Sequence, residues 1–390
     1  MLKTKHLRHP FKATAAARQL LSLHMQAIKF ARLGESRYSH DPRYDLQVVR
    51  DGFTSCIDRQ DADTDLLQRI CRAYVKSIQI SSPNEYKPTS WWESFRHSSL
   101  RPVMRALDAG DLSTLRARYR NFFRDSCSDG LVEKSLLLTK SPFCKSMMRI
   151  HESYFLSDAL HRLDCWSDMT DGQFSVRDLE GPRIGNPFGI TLNGTLVRTG
   201  SEYQHYCAHR IGRLLSGNDP AIVEIGGGYG GMAYYLLRDF PQLTYIDFDL
   251  PETIALASYY LLKAFPEKKF LLYGEGVLDE ETLGCFDVIL LPIAAFSAVP
   301  SGFANLTFSS HAISDLSSGA LIEYMNKIAD VTRDYFLYEG LYKSGSDIPG
   351  LVMDLYPSLY LVEEKRFQWY SQKSPTDLQH ELLYQIKMCV

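Results

Sequence analysis

The spacing of apolar residues changes near residue 180. In the first part of the chain, apolar residues recur three and four positions apart, which predicts amphipathic helices; the stretches are 15–33, 64–77, 100–107, 112–123 and 145–163. From about residue 201 onward, short apolar runs alternate with helical periodicity. These runs predict strands at 221–225, 243–248, 269–273, 286–291 and 335–339, with two later strands near 363–370 and 380–388. Such alternation is typical of a doubly wound, Rossmann-like α/β sheet with helices on both faces.

A segment rich in turn-forming residues separates the two patterns. Residues 181–200 read GPRIGNPFGITLNGTLVRTG and contain two short β-type runs, 189–192 and 195–197, which predicts a hairpin. At 390 residues the chain is long enough for two domains. We therefore expect a mostly α-helical N-terminal domain at 1–180, a hairpin linker at 181–200 and a cofactor-binding domain at 201–390. The helical domain would serve acceptor binding, oligomerisation or closure as a lid.

The first predicted strand leads directly into a glycine-rich turn. Residues 221–225 are mostly apolar and β-branched, as a strand buried on both faces should be, and five glycines follow within 226–231. Glycines allow positive φ angles and let a ligand approach backbone N–H groups without a Cβ in the way. The next residues, 232–240, predict a helix whose N-terminus points at that ligand. This arrangement predicts a loop for a nucleotide-type cofactor.

One cofactor class that fits this loop is the nicotinamide dinucleotides. Gly226, Gly228 and Gly231 satisfy the G-x-G-x-x-G fingerprint. Asp247 or Asp249, about twenty residues further on, would then hold the ribose hydroxyls. On this alternative the protein is a NAD-dependent oxidoreductase.

The same loop also satisfies the E-x-G-x-G-x-G pattern of class I S-adenosylmethionine (SAM) methyltransferases, through Glu224, Gly226, Gly228 and Gly230. Glu224 distinguishes the two classes. A pyrophosphate is anionic and gains nothing from a carboxylate two residues before the first glycine. SAM carries an ammonium and a sulfonium, which a nearby carboxylate attracts. The charge on Glu224 therefore favours SAM as the cofactor.

Composition and charge narrow the function classes. The formal net charge is −3 and the sequence pI is about 6.4, which argues against nucleic acid as the main partner. Eight cysteines are scattered without a C-x-x-C pair, which argues against zinc and a disulfide scaffold and fits a reducing compartment. No apolar stretch approaches the roughly eighteen residues of a membrane span, and the N-terminus lacks a signal-peptide core. We therefore expect a cytoplasmic protein.

Two motifs carry a family resemblance. Residues 223–231, VEIGGGYGG, and 245–252, YIDFDLPE, together resemble the bacterial sugar O-methyltransferases, a family of class I SAM-dependent enzymes. The resemblance extends to 184–187, IGNP, to 86–92, YKPTSWW, and to 115–131, LRARYRNFFRDSCSDGL, and so covers most of residues 80–390. It implies methyl transfer from SAM to a sugar hydroxyl in surface polysaccharide or lipopolysaccharide biosynthesis. The partners that it allows are a sugar or glycan acceptor, glycan assembly enzymes in peripheral association, and further copies in a homo-oligomer.

The resemblance also assigns roles around the loop. The three alternate glycines would line the methionine and ribose of SAM, Glu224 would anchor the methionine end, and Asp249 would bind the ribose hydroxyls. Asp249 could instead cap the helix that follows it. Glu275, at the end of the third predicted strand, is a candidate for the adenine, or else part of a solvated turn. The predicted cofactor-binding residues are Glu224, Gly226, Gly228, Tyr229, Gly230, Asp249, Leu250 and Glu275.

Transfer to a sugar hydroxyl also needs a base, because that hydroxyl is a very weak acid. Residues 305–315, NLTFSSHAISD, follow the fourth predicted strand and predict the start of a helix that runs towards Val331. His311 and Asp315 would lie four apart on one face of it, as a base and the group that orients it. Small-molecule O-methyltransferases with a similar DLP segment carry His followed by Asp in this region and use that histidine as the base.

Other assignments for the base stay open. The sugar enzymes carry a Glu-Met pair in this region, which this chain lacks. His311 could be a surface residue at the start of a helix that Ser309 or Ser310 caps. The predicted helix 202–215 carries His205 and His209, which offer a third choice.

The acceptor site has weaker signals. Aromatic rings suit sugars because they offer flat apolar faces, and the candidates are Tyr86, Trp91, Trp92, Tyr203 and Tyr206. Of these we expect Tyr206 to bind the acceptor, together with His205 of the same predicted helix, 202–215. No compact group of Asp and Glu predicts a magnesium site, so we expect no metal. Besides sugar methylation, three functions stay open: a small-molecule O-methyltransferase of secondary metabolism, a NAD-dependent oxidoreductase, and a non-catalytic scaffold of a glycan assembly complex.

Overall fold

The computed structural model of this chain describes residues 10–57, 63–80, 87–139, 147–217, 219–314, 316–341, 348–367, 369 and 379–387. The region before the hairpin is helical, as the apolar periodicity predicts. Its helices are α1 (Pro10–Tyr38), α2 (Leu46–Gly52), α3 (Thr64–Ser77), α4 (Ser90–Arg96), α5 (Arg101–Ala109), α6 (Leu112–Tyr119) and α7 (Met148–Met169). The five predicted stretches fall on α1, α3, α5, α6 and α7. Helices α2 and α4 span 7 residues each, too few for a periodic signal.

The hairpin between the two halves forms as predicted. Strands β1 (Gly189–Leu192) and β2 (Thr195–Arg198) pair antiparallel. The two turn residues, Asn193 and Gly194, have φ angles of 51° and 81°. Two successive positive φ angles match the right-handed twist of a hairpin, and Asn-Gly is the pair that adopts them most readily.

A mostly parallel sheet occupies the second half. Its strands are β3 (Ala221–Ile225), β4 (Thr244–Asp249), β5 (Phe270–Leu272), β6 (Val288–Pro292), β7 (Ala304–Ser310), β8 (Thr332–Leu341), β9 (Leu359–Phe367) and β10 (Gln379–Ile386). Within the described residues the strand order is β5-β6-β4-β3-β7-β8-β10-β9. The first six in this order run parallel, and β10 and β9 close the edge as antiparallel strands. The doubly wound α/β prediction is therefore confirmed.

Helices cover both faces of this sheet. They are α8 (Ser201–Leu214), α9 (Gly231–Asp239), α10 (Pro251–Ala264), α11 (Glu280–Leu283), α12 (Ser318–Val331) and α13 (Ile348–Leu355). Helices α9 and α10 bury apolar residues in one hydrophobic cluster, and α12 and α13 do so in a second cluster. Strand side chains alternate between the two clusters, as Ile222 and Val223 of β3 do, because successive side chains of a strand point to opposite faces.

The N-terminal helices extend the first of these clusters. Leu67 of α3, Tyr119 of α6 and Trp166 of α7 are buried in the same cluster as Tyr259 of α10. The rings of Tyr119 and Tyr259 have centroids 5.1 Å apart. Apolar contact is therefore continuous from the helical region to the sheet. The division at 1–180, 181–200 and 201–390 stays a prediction.

One predicted helix start is wrong. Residues 304–310 form β7, and the next helix begins only at Ser318. The physical reason is strand pairing on both sides, because Leu306, Thr307 and Phe308 pair with β3 and with β8. Local sequence does not report such pairing, which depends on strands about thirty and eighty positions away.

Candidate active site

A cavity of about 440 Å³ lies at the carboxyl ends of β3, β4 and β7. This edge is where open α/β sheets bind their ligands. Glycine loop residues 226–228 and the apolar side chains of Phe248 and Phe308 line it, and Trp92 and Leu131 of the N-terminal region complete its wall. We call this space the main cavity. The main cavity therefore lies between the predicted glycine loop and the helical half of the chain.

The glycine loop has the conformation that its sequence predicts. Gly226, Gly228 and Gly230 have φ angles of 84°, 63° and 85°, a region that other residues rarely adopt. A Cβ on Gly226 would also overlap the side chain of Ala312. The loop ends at α9, so the N-terminus of that helix lies beside the main cavity.

Two aspartates of β4 hold the loop through its backbone. The N–H of Gly227 donates to Asp247 at 3.0 Å, and the N–H of Gly228 donates to Asp249 at 3.0 Å. Asp249 also accepts from the N–H of Leu250 at 2.6 Å. Burial raises the pKa of Asp249 to about 7 and raises the pKa of Asp247 well above its usual range. Asp249 and Leu250 line the main cavity.

Asp249 does not act as a helix cap. Leu250 is the N-cap residue of α10, and no side chain caps that helix. The alternative role for Asp249 that the sequence left open is therefore not observed.

Glu224 lies in the wall of the main cavity and is only 3% exposed. The hydroxyl of Tyr245 donates to its carboxylate. Burial, with a further contribution from Asp249, raises the pKa of Glu224 to about 8. A buried carboxyl of this kind is stabilised in its charged form by a cation placed in the cavity. The ammonium and sulfonium of SAM meet that requirement.

Tyr229 lines the main cavity, but its hydroxyl points to the hairpin side. It contacts Arg198 and accepts from the side-chain amide of Gln204 at 2.9 Å. The guanidinium of Arg198 is 1% exposed and lies 5.2 Å from the ring centre of Phe123 and 5.4 Å from that of Tyr229. This buried cation connects the hairpin, the glycine loop and residues 121–124, which we call the NFFR motif.

His311 lies at the main cavity, at the end of β7. Its φ is 61°, its N–H donates to the carbonyl of Glu339 at 2.8 Å, and its Nε2 lies 3.4 Å from Nε2 of Gln379. His311 has a left-handed backbone and precedes α12, which begins at Ser318, so it is not a helical residue. Asp315 itself lies outside the described residues.

The structure corrects two of the acceptor candidates, His205 and Tyr206, and Tyr86 lies outside the described residues. His205 is buried against Trp166, whose indole N–H donates to Nδ1 at 3.2 Å, and burial lowers its pKa to about 4. Tyr206 donates to Glu381 at 2.8 Å. Neither lines the main cavity. Helical geometry explains the error, since Tyr203, Gln204 and Cys207 of the same helix are the residues that face it.

Glu275 is also separated from the main cavity. Its carboxylate forms a bidentate pair with Arg69, at 2.7 and 2.8 Å, and accepts from the N–H of Leu272. The sheet order explains this, because β6 lies between β5 and β4. The end of β6, and not the end of β5, is therefore the neighbour of Asp249, through the pair Asp249 and Pro292.

A smaller apolar space of about 220 Å³ adjoins this point. We call it the side cavity. Leu250 and Ile293 line both spaces, and Ile78 and Arg96 complete the side cavity. Its position beyond the carboxyl ends of β4 and β6 suits a flat heteroaromatic ring such as adenine. The sequence had predicted the adenine site near Glu275.

Sequence reasoning named Tyr203 only as an aromatic candidate and missed the polar group that it forms with Ser310 and Glu339 behind the main cavity. Tyr203 and Ser310 line the cavity, with their oxygens 2.5 Å apart, and Tyr203 also donates to the buried Glu339. Burial and the neighbouring Glu381 raise the pKa of Glu339 to about 8. The signal available in the sequence was the carboxylate of Glu339 directly after the apolar run 335–338. Which residues face that carboxylate depends on the fold.

The sheet, the loop and the carboxylates define a doubly wound α/β protein with a nucleotide-type cofactor at the carboxyl edge. A family model narrows this class, because the O-methyltransferase domain matches residues 215–296. These residues run from the end of α8 through the glycine loop and β4 to β6. The chain thus contains a SAM-dependent O-methyltransferase domain, and the predicted cofactor, SAM, is confirmed.

The solved structures to which this chain is similar show low sequence identity and low TM-scores. A SAM-dependent methyltransferase from Aquifex aeolicus is 11% identical over 48% of this chain and 94% of that chain, with a TM-score of 0.33. A TehB-like SAM-dependent methyltransferase from Corynebacterium glutamicum is 12% identical over 59% and 98%, with a TM-score of 0.33. An arsenic(III) SAM methyltransferase from Chlamydomonas reinhardtii is 12% identical over 45% and 65%, with a TM-score of 0.29. Comparison with curated proteins gives no match.

The described residues contain neither a helix suited to span a membrane nor a group of side chains suited to bind a metal ion. None of the helices in the described ranges is long and apolar enough to cross a membrane. Across those ranges, no group of three or more His, Cys, Asp or Glu side chains is arranged to hold a metal ion.

Proposed function

We propose that this protein transfers a methyl group from SAM to a hydroxyl of a sugar. The observation that carries the donor half is the buried Glu224 carboxyl beside the glycine loop in the main cavity. The sugar as acceptor is supported by the motifs shared with sugar O-methyltransferases, and by the aromatic side chains at the cavity.

The donor fits the residues on the β3 and β4 side. Glu224 would face the methionine end, the backbone of the glycine loop would lie along methionine and ribose, and Asp249 would accept from ribose hydroxyls. The adenine would enter the side cavity between Leu250 and Ile293. SAM supplies a methyl group already activated by the sulfonium, so the chain's task is to align the acceptor oxygen and remove its proton.

The acceptor would enter from the side of α4. Trp91 is 49% exposed and lines the main cavity together with Trp92, and the two rings are perpendicular, with centroids 5.1 Å apart. An exposed indole at a cavity mouth offers a flat apolar face, which suits the C–H face of a pyranose. Lys87 and Thr89 add polar atoms to the same wall.

Two groups at the end of β7 can take the proton of the acceptor. One is the imidazole of His311, which remains the proposal from the sequence. The other is the Ser310 and Tyr203 pair in front of Glu339. Both lie at the end of the strand that pairs with β3, which carries Glu224.

The test is methyl transfer from methyl-labelled SAM to a defined panel. The panel contains free hexoses, their methyl glycosides and nucleoside-diphosphate hexoses, with catechol as the small-molecule alternative and NAD as a thermal-shift competitor. Labelled product with a sugar and a thermal shift with SAM are expected. Label in catechol alone would reassign the acceptor, and a thermal shift with NAD but not SAM would overturn the proposal.

Matched variants separate the two halves of the reaction. Asp249→Asn should weaken SAM binding in calorimetry. Trp91→Ala should leave SAM binding intact and raise the KM for the sugar. If Trp91→Ala leaves the sugar KM unchanged, the indole is not part of the acceptor site.

A further inference from the structure

A row of polar residues crosses the sheet directly behind the main cavity. Ser310 of β7 pairs in register with Glu339 of β8, which pairs with Glu381 of β10. Residues in register on neighbouring strands point to the same face. The row therefore begins with a residue that lines the cavity and continues into the interior, where Glu339 and Glu381 are 3% and 2% exposed.

Helix α8 lies over this row with one face. Tyr203, Tyr206, Cys207 and Arg210 follow the three-and-four spacing of a single helical face. Tyr203 contacts Ser310 and Glu339, Cys207 lies 3.4 Å from Glu339, and Tyr206 and Arg210 contact Glu381 at 2.8 and 2.9 Å. Glu381 thus has a cationic partner, whereas the donors to Glu339 within the described part of the chain are a hydroxyl and a thiol.

Glu339 is an uncompensated acid. Its Oε2 accepts from Tyr203, and its Oε1 has no hydrogen-bond partner among the described residues. Among the described residues, the titratable groups that act on its charge are Tyr203, Tyr206 and Cys207 from α8 and Glu381 from β10, and none of these is a cation. A buried carboxyl in this environment holds a proton more tightly than a free one, so its affinity for a proton suits acceptance from an activated hydroxyl.

We propose that Glu339 accepts the proton of the methylated hydroxyl through Ser310 and Tyr203. This inference rests on the proposed O-methyl transfer. As the acceptor oxygen forms its bond to the methyl carbon, the sulfur–methyl bond breaks and its electron pair stays on sulfur. The acceptor's proton passes to Ser310, the proton of Ser310 passes to Tyr203, and the proton of Tyr203 passes to the carboxylate of Glu339.

Glu339 is then a positioning residue, since it acts on the acceptor only through the two hydroxyls. Turnover requires it to be ionised at the start of each cycle. The rate of methyl transfer at saturating SAM should therefore rise with pH up to about 8, the range in which Glu339 titrates. A base with an ordinary histidine pKa would reach its plateau more than one pH unit lower.

The first experiment needs no acceptor. Other buried carboxyls, such as Glu224, also titrate near this pH, so the band of Glu339 is identified by difference. The infrared spectrum of the full chain minus that of Glu339→Gln should contain the carbonyl band of a protonated, buried carboxyl that disappears as the pH passes about 8. Tyr206→Phe, a matched variant on the same helix outside the main cavity, should keep this band. In D₂O the band should shift more slowly in Tyr203→Phe than in the wild type. A band unaffected by Glu339→Gln, or exchange independent of Tyr203, would overturn the proposal.

The second experiment measures rates with the panel sugar that is methylated fastest. Glu339→Gln and Tyr203→Phe should lower the rate at pH 8.5 at least 100-fold and abolish its rise with pH, with an unchanged Kd for SAM. His311→Asn should keep the rise near pH 8. Loss of that rise in His311→Asn, with Glu339→Gln behaving as wild type, would assign the proton to His311. If the wild type methylates no panel compound, the proposed function fails, and the infrared result still decides whether Glu339 exchanges its proton through Tyr203.

Discussion

Glu224, Asp247 and Asp249 bring three carboxyl groups to one end of the main cavity. The pKa of each is raised, chiefly by burial and further by the neighbouring acids. In water such acids would be fully ionised at neutral pH. Here the pKa values of about 8 for Glu224 and about 7 for Asp249 mean that a cationic ligand must compete with protons for the site.

This competition predicts that SAM binding depends on pH. Binding favours the ionised acids, so the affinity for SAM should rise between pH 6 and pH 8.5, by up to about tenfold per pH unit for each proton released. Calorimetry in buffers with different ionisation enthalpies should detect protons released on binding at pH 6.5. Glu224→Gln should flatten this dependence. A constant Kd across the range would contradict the assignment of these acids to the SAM site.

A second residue-scale prediction concerns Gly226. Gly226→Ala should lower the free energy of unfolding by more than Gly110→Ala, because both glycines have a left-handed φ but only Gly226 would place its Cβ against another side chain. We expect about 1 kcal/mol for the backbone conformation alone and a further 1–3 kcal/mol, roughly, for the overlap with Ala312. Chemical denaturation measures both losses, and SAM binding should fall only in Gly226→Ala.

At the scale of elements, the segment between α6 and α7 shapes one wall of the main cavity. The ammonium of Lys134 lies within hydrogen-bonding distance of the carbonyls of Phe122, Phe123 and Asp125, at 3.1, 3.0 and 2.9 Å, and of the hydroxyl of Ser128, at 2.6 Å. Partial burial lowers the pKa of Lys134 to about 8. One partly buried cation thus holds the turn that carries the NFFR motif and leads to Leu131.

Replacing that cation should destabilise the turn. Lys134→Met keeps the apolar stem but removes a charged donor from three carbonyls, of which those of Phe122 and Asp125 keep the hydroxyl of Ser128. We therefore expect a loss of about 2 kcal/mol in the free energy of unfolding. Lys268→Met removes a single exposed bond to the carbonyl of Pro241 and should change stability by less than about 0.5 kcal/mol. Equal denaturation midpoints for the two variants would show that the bonds of Lys134 do not hold the turn.

At the scale of the whole molecule, the hydrophobic cluster on one sheet face joins the two halves of the chain. Ile211 of α8 and Tyr259 of α10 are buried in the same cluster as residues of α3, α6 and α7. A cut at residue 200 would expose the side of α10 that packs against these N-terminal helices. The sequence boundary near residue 180 thus marks a change in secondary structure, and the separate folding of the two parts needs its own test.

Expression of residues 201–390 alone supplies that test. The fragment would expose the aromatic face of α10 to water, so we expect aggregation or the loss of cooperative unfolding, whereas the full chain should give one transition. Co-expression with residues 1–200 should restore solubility if the shared cluster is responsible. A soluble fragment that unfolds cooperatively and binds SAM would show that residues 201–390 are an independent domain.

Much of the fold and the donor half of the site could be predicted from the sequence. The glycine pattern with Glu224 and Asp249 specified a SAM loop, because positive φ angles and charge are properties of particular residues at short spacing. The strand β3 and the helix α9 followed from periodicity for the same reason. Glu275 was misplaced because its role depended on which strand lies beside β4.

The sequence by itself determined the class of fold, the hairpin and the SAM loop, since each depends on contacts within about thirty residues. Only the tertiary structure decided that residues 304–310 form a strand, that Tyr203 and not Tyr206 faces the main cavity, and that Glu339 stands behind Ser310. These features arise when β7 is inserted between β3 and β8 and α8 is laid over their ends. Pairing between distant strands, and the helix face that becomes buried, depend on the whole chain and leave no local pattern.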